Sequence, residues 1–184
     1  MATEYAIFAG GCFWCLEALF SRVKGVDTVV CGYIGGDVTH PHYEQVCLGS
    51  TGHAEAVRIT FDPVSIRYVT LLDLFFKMHD PTTPNRQGND VGTQYRSAIF
   101  YLNEQQRVSA HTVINELTMA RTFSAPIVTE IIAASCFYTA ENEHQHYFDN
   151  HVHAPYCQYT ITPKLQKFLR LYPSVIDPSG THDR

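Results

Sequence analysis

Gly10-Gly11-Cys12-Phe13-Trp14-Cys15-Leu16-Glu17, near the start of the 184-residue chain, reads as the junction where a strand hands over to a helix. Before it, Tyr5-Ala6-Ile7-Phe8-Ala9 is a short apolar run of the kind that makes a buried strand, and the glycine pair allows a tight turn. After it, Phe13, Leu16, Leu19, Phe20 and Val23 recur at helical spacing, with Glu17 early and Arg22 and Lys24 late, where a helix dipole favours them. Cys12 is therefore expected at the helix N-terminus, facing free backbone N–H groups. A thiolate is favoured there, by about 0.3–1 kcal/mol at a surface and up to ~2 when partly buried, roughly one pKa unit. Cys15 brings a second sulfur to the same helix face, where an oxidised first sulfur can be captured as a local disulfide. The structural alternative is that both are small buried hydrophobes.

Working outward, Val26-Asp27-Thr28-Val29-Val30-Cys31-Gly32-Tyr33-Ile34 alternates and is rich in β-branched residues, so it predicts a strand ending at Gly35-Gly36. Residues 37–52 are dense in glycine and polar residues and predict loop. Residues 55–61 predict a third strand stopped by Asp62-Pro63, and 66–79 a helix with a broad apolar face ended by Asp80-Pro81. Residues 82–96 have no periodicity and predict a long functional loop. A strand over 97–102, a helix from Asn103 to about Arg121 and a strand over 127–132 follow. Amphipathic pieces around 141–150 and 163–172 complete the chain, and the last dozen residues are expected to be loosely held. That order predicts an α+β sandwich, a mixed sheet with helices packed on it, in a single domain spanning 1–184.

Composition excludes several classes. A hydrophobic share of 45% with 17% charged residues is ordinary globular stock, and a net charge of −5 argues against a nucleic-acid surface. No apolar run reaches membrane-spanning length, and Met1-Ala2-Thr3-Glu4 lacks the features of a signal peptide, so a cytoplasmic setting is expected. Six cysteines are too sparse for a disulfide scaffold, leaving thiol chemistry or burial to account for them. Cys31, Cys47 and Cys136 lie in or beside apolar runs and read as structural.

Further residues point to chemistry. Glu55, in Thr51-Gly52-His53-Ala54-Glu55, opens an apolar strand; on the inward face it would be desolvated, stay protonated near neutrality and be able to donate a proton. The alternative is a surface glutamate at a strand end. His53 reads as a hydrogen-bonded structural histidine. Tyr43 and Tyr95, both on loops, could offer neutral O–H donors to a polar, uncharged oxygen, or could simply be packed. Phe13 and Trp14 beside a thiolate suggest an apolar wall for a small group such as a methyl on sulfur.

Two other classes compete. H-x-E with a separate C-x-x-C is a zinc deaminase signature, but here the cysteines precede His53 and no proline introduces them. Glu143-His144-Gln145-His146-Tyr147 with His151-Val152-His153 invites a metal, although H-x-H on a helix aims its rings apart, so a packing or surface role is expected and no metal. A thioredoxin-like dithiol oxidoreductase is the main alternative, since C-x-x-C after a strand is its chief feature; the bulky Phe13-Trp14 pair counts against it.

Assembled in order, Gly10-Gly11-Cys12-Phe13-Trp14, Gly32-Tyr33-Ile34-Gly35-Gly36, Tyr43, Val46-Cys47, Thr51-Gly52-His53-Ala54-Glu55, His79-Asp80-Pro81, Gln87-Gly88-Asn89-Asp90, Gly92-Thr93-Gln94-Tyr95-Arg96-Ser97 and Ala140-Glu141 with His144-Gln145 resemble the methionine sulfoxide reductase A family, the peptide-methionine (S)-S-oxide reductases. The resemblance implies a ferredoxin-like α/β sandwich with a long, loop-rich C-terminal part. It implies that Cys12 attacks the sulfoxide sulfur and that Glu55 protonates its oxygen. Tyr43 and Tyr95 would hydrogen-bond that oxygen, Phe13 and Trp14 would house the methyl group, and Asp90 would hold the site through hydrogen bonds, by way of water. A sulfenic acid on Cys12 would then be resolved as a disulfide and reduced by thioredoxin, with no bound cofactor. Oxidised proteins and free methionine sulfoxide would be the substrates of a chain acting as a monomer. Many members carry glycine where this chain has Cys15, and resolve with a cysteine near the C-terminus; Cys157, in Pro155-Tyr156-Cys157, is that second candidate, with Cys15 favoured by adjacency.

Overall fold

The computed structural model describes residues 3–177. In chain order it holds β1 (Glu4–Ala9), α1 (Phe13–Phe20), β2 (Val26–Ile34), a short α2 (Tyr43–Cys47), β3 (Ala54–Phe61) and α3 (Tyr68–Met78). The two-residue strands β4 (Arg86–Gln87) and β5 (Asp90–Val91), β6 (Ala98–Tyr101), α4 (Glu104–Met119), β7 (Glu130–Ala133), β8 (Tyr138–Thr139), α5 (Tyr147–Asn150) and α6 (Thr162–Leu171) follow. Thr93–Tyr95 and Asn142–His144 are 3-10 turns, and Cys157–Ile161 is a π turn.

Six strands form one mixed sheet in the order β7-β6-β1-β3-β2-β8. Every pairing is antiparallel except β6 with β7. Because side chains alternate across a strand, Ala6 and Phe8 of β1 enter the core beneath α1 and α3, while Ile7 and Ala9 pack on the opposite face with Ile34, Ala54, Ala56 and Phe100. Both faces of β1 are thus covered, which is why it reads as an unbroken apolar run rather than an alternating one.

Several boundaries differ from the sequence expectation. Helix α1 stops at Phe20, and Val23, on the predicted apolar stripe, instead forms an isolated bridge with Ile176. The predicted loop over 37–52 contains α2, and that over 82–96 contains the β4–β5 hairpin. Of the last dozen residues, 173–177 run back along α1's exit: Lys24 N donates to Val175 O at 2.9 Å and Asp177 N to Arg22 O at 2.8 Å. The others lie outside the described residues.

Candidate active site

At the mouth of α1 the Gly-Gly turn, one strand residue and one peptide N–H converge. Gly11 has φ +91°, and a Cβ there would lie 2.7 Å from Gln87 Cγ. Gln87 is itself pinned, its Oε1 accepting from Asp80 N at 3.1 Å and its Nε2 donating to Asp80 O at 2.9 Å. Cys12 follows as the extended N-cap residue, and the first helical N–H, that of Phe13, donates to Glu55 Oε2 at 3.0 Å. Glu55 reaches it because it pairs with Tyr33 across β2 and β3, on the sheet face that α1 covers. Its side chain is buried with the residue 1% exposed, and burial pushes its pKa up to about 8 against the opposing Phe13 N–H bond; the charges of Asp90 and Cys15 raise it further.

The thiol beside it does not follow the dipole expectation. Cys12 is 8% exposed, and burial first, then its hydrogen bond to Cys15 and the charge of Glu55, hold its pKa well above the ordinary thiol value. A helix N-terminus contributes roughly one pKa unit, and the loss of water around the sulfur outweighs it. Cys15 shifts the other way: it accepts from the Cys12 thiol, and that bond prevails over burial, aided by the charge of Lys164 on α6. Cys12 N-caps α1 and Cys15 N donates to Cys12 O at 3.1 Å, so one helical turn brings the two sulfurs together.

Tyr43 and Tyr95 come to the same place from different elements. Tyr43 opens α2, its N–H held by Glu141 Oε1 at 2.8 Å, and Tyr95 closes the 3-10 turn after β5. Burial, with the nearby charge of Glu55, keeps both phenols protonated far above neutrality, and Tyr43 also senses Tyr95. Phe13 is fully buried against Tyr33 and His144, whereas Trp14 is half-buried and stacks on Tyr147, with ring centroids 3.7 Å apart and planes 8° from parallel. Asp90, at the hairpin, accepts from the Tyr156 hydroxyl at 2.8 Å. Cys157 lies fully buried at the start of the π turn, close enough to Cys15 for that charge to raise its pKa after burial has done so.

Some of these partners carried no sequence signal. Tyr156 lies outside any periodic stretch and Tyr147 within the amphipathic piece around 141–150, and no local pattern shows that both reach Trp14, Tyr156 edge-on at 5.7 Å. Glu141 accepts from Tyr33 Oη at 2.8 Å as well as from Tyr43 N, so a single carboxylate anchors the floor and one wall. The histidine-rich stretch is a clamp on β2: Gln145 Oε1 accepts from Cys31 N at 2.9 Å and its Nε2 donates to Cys31 O at 3.0 Å. Glu17, expected as a dipole-facing acid, is instead a core carboxyl raised by burial and bonded to His146 N at 2.7 Å. His53 is structural, its Nδ1 accepting from Gly36 N at 3.0 Å and its Nε2 bonded to Val38 O at 2.7 Å. Cys31 is buried as expected, but Cys47 and Cys136 are exposed. Among the described residues no cluster of three or more His, Cys, Asp or Glu is placed to hold a metal.

The family profile described as Peptide methionine sulfoxide reductase matches residues 4–174. A peptide methionine sulfoxide reductase MsrA from Chromobacterium violaceum is 55% identical over 169 residues, covering 92% of this chain and 96% of the relative. One from Sulfolobus acidocaldarius is 52% identical, with the same coverage of 92% and 96%. Among solved structures, Mxr1 of Saccharomyces cerevisiae in reduced form superposes with a TM-score of 0.77 at 31% identity, over 84% of this chain and 89% of that one. Methionine sulfoxide reductase A of Corynebacterium diphtheriae gives 0.74 at 35% identity, over 83% and 78%.

Proposed function

This chain belongs to the peptide methionine sulfoxide reductase family and reduces methionine sulfoxide to methionine, and from that premise we propose how its own residues carry the reaction. The observation that carries the proposal is the 3.0 Å bond between Phe13 N–H and Glu55, which ties a buried carboxyl, protonated at neutral pH, to the residue next to the Cys12 thiol. Cys12 attacks the sulfoxide sulfur while Glu55 gives its proton to the sulfoxide oxygen. The thiol proton of Cys12 replaces the one Glu55 has lost. The hydroxyl then passes from the substrate sulfur to Cys12: a Cys12 S–O bond forms as the substrate S–O bond and the transient S–S bond break, so that methionine leaves and Cys12 is left as a sulfenic acid. Because the sulfoxide is neutral, donors that keep their protons serve it better than cations, and Tyr43 and Tyr95 are such donors. Phe13 and Trp14 receive the S-methyl group of the (S) epimer, free or in a protein, and Asp90 orders the site through Tyr156.

In the second half-reaction, Cys15 attacks the sulfenic sulfur, a disulfide forms and water leaves. Its position one turn from Cys12, and a pKa drawn down first by the bond from Cys12, support it over the buried Cys157. Thioredoxin then returns both thiols by disulfide exchange, without a bound cofactor, which suits a reducing compartment such as the cytoplasm. No helix of the described residues is long and apolar enough to cross a membrane. The order β1-α1-β2-β3-α3-β6, with β6, β1, β3 and β2 side by side, supports a ferredoxin-like reading of the sandwich. Mapping the disulfide by mass spectrometry after one equivalent of sulfoxide tests the scheme. A Cys12–Cys15 bond is expected, and repair that survives Cys12→Ser would overturn it.

A further inference from the structure

Between Cys15 and Asp90 stands Tyr156, which the chemistry above uses only to order the site. Its hydroxyl donates to Asp90 Oδ2 at 2.8 Å and lies 3.9 Å from Cys15 Sγ. Either atom of that contact can donate, and while the phenol proton is on Asp90 the phenol oxygen is left to accept from the Cys15 thiol. Three groups thus stand in a directed chain, thiol to phenol to carboxylate. The ring is held edge-on against Trp14 at 5.7 Å, and the backbone enters the π turn immediately after it, so the hydroxyl is fixed on both sides. π turns are frequent at functional positions, which fits a residue placed for chemistry.

We propose that Tyr156 relays the Cys15 proton to Asp90 as the Cys12 sulfenic acid is resolved. The Cys15 S–H proton passes to the phenol oxygen as the phenol proton passes to Asp90. The new phenol O–H then points back at the Cys15 thiolate and steadies it. That sulfur attacks Cys12, the S–S bond forms, the S–O bond breaks, and Asp90 hands its proton to the departing hydroxide. The sum is a sulfenic acid plus a thiol giving a disulfide plus water, with no external oxidant or reductant. The proposal rests on Cys15 as resolver, and its test keeps the two apart.

In a single turnover with methionine sulfoxide, methionine release and disulfide closure are timed separately, and the sulfenic acid is trapped with a cyclic 1,3-diketone. Tyr156→Phe, which keeps the ring on Trp14, is expected to lower the ratio of closure rate to release rate at least tenfold, so that trapped Cys12 accumulates. Asp90→Asn, which accepts the phenol bond but takes no proton, is expected to lower the same ratio. The wild-type closure step is expected to slow in D2O, with that isotope effect absent in Tyr156→Phe. A ratio and isotope effect unchanged in Tyr156→Phe, while Cys15→Ser stalls at the sulfenic acid, overturn the relay alone. Closure undiminished in Cys15→Ser overturns the choice of resolver and the relay with it.

Discussion

Replacing Glu55 by glutamine separates what the buried carboxyl does for the reaction from what it costs the fold. Glutamine keeps an acceptor for Phe13 N–H at 3.0 Å but has no transferable proton. The Glu55 carboxyl moves from an ordinary value of 4.5 to about 8 in the folded chain, chiefly through burial. Below 4.5 both folded and unfolded chains hold this proton. Between 4.5 and about 8 the folded chain keeps it and the unfolded chain has lost it, so stability falls as pH rises. The slope is about 1.4 kcal/mol per pH unit for one proton. Over the interval of 8 minus 4.5 this comes to about 5 kcal/mol, and to about 3 kcal/mol by pH 7. The uncharged variant escapes that loss. Urea unfolding of reduced protein at pH 5, 6, 7 and 8 is expected to show Glu55→Gln gaining on the wild type by about 1.4 kcal/mol per unit, the gain levelling off above pH 8. The same variant is expected to release methionine about 10²–10⁴-fold more slowly. Parallel stability curves across this range would refute the buried, protonated carboxyl, and an unchanged release rate would refute its role as acid.

Cys15→Ser is expected to release one methionine per enzyme and then stop, with thioredoxin unable to restart it, as read by burst amplitude and steady-state rate. Gly11→Ala places a Cβ 2.7 Å from Gln87 Cγ at φ +91°, and strain and overpacking together are expected to cost about 2–4 kcal/mol, seen as a midpoint about 5–15 °C lower in thermal unfolding. Gln145→Leu strips the acceptor from Cys31 N–H and is expected to cost about 1–3 kcal/mol, with exchange of the Cys31 amide hydrogen faster by about tenfold or more.

The turn at Gly10-Gly11-Cys12 was legible because it rests on local rules, a buried strand feeding a glycine turn and then an apolar helix. Glu55 was legible as a candidate because a carboxyl at the start of a buried strand has two fates, solvent or desolvation. What escaped depends on distant partners. The five-residue α2 lacks periodicity, and its first N–H is satisfied by Glu141, 98 residues further on. Tyr156 meets Asp90 across 66 residues, a distance no local pattern spans. Cys47 follows the buried Val46, yet sits where α2 ends and turns outward, so an apolar neighbour was a poor guide to its exposure. The charge state of Cys12 misled for a related reason: the dipole can be inferred from a helix start, whereas burial is a property of everything packed around it.

A sulfoxide accepts a thiol only if its oxygen is protonated as the S–O bond yields, and the reaction neither consumes nor releases a proton overall. A resting pair in which Cys12 and Glu55 both keep theirs already contains the proton that the sulfenic acid will carry away. An anionic Cys12 beside an ionised Glu55 would place two like charges in one desolvated site and leave nothing to give the oxygen. In the proposed scheme burial therefore imposes the same condition on Cys12 as nucleophile and Glu55 as acid, and the single peptide at Phe13 keeps them adjacent for a proton to pass from sulfur through carboxyl to substrate oxygen.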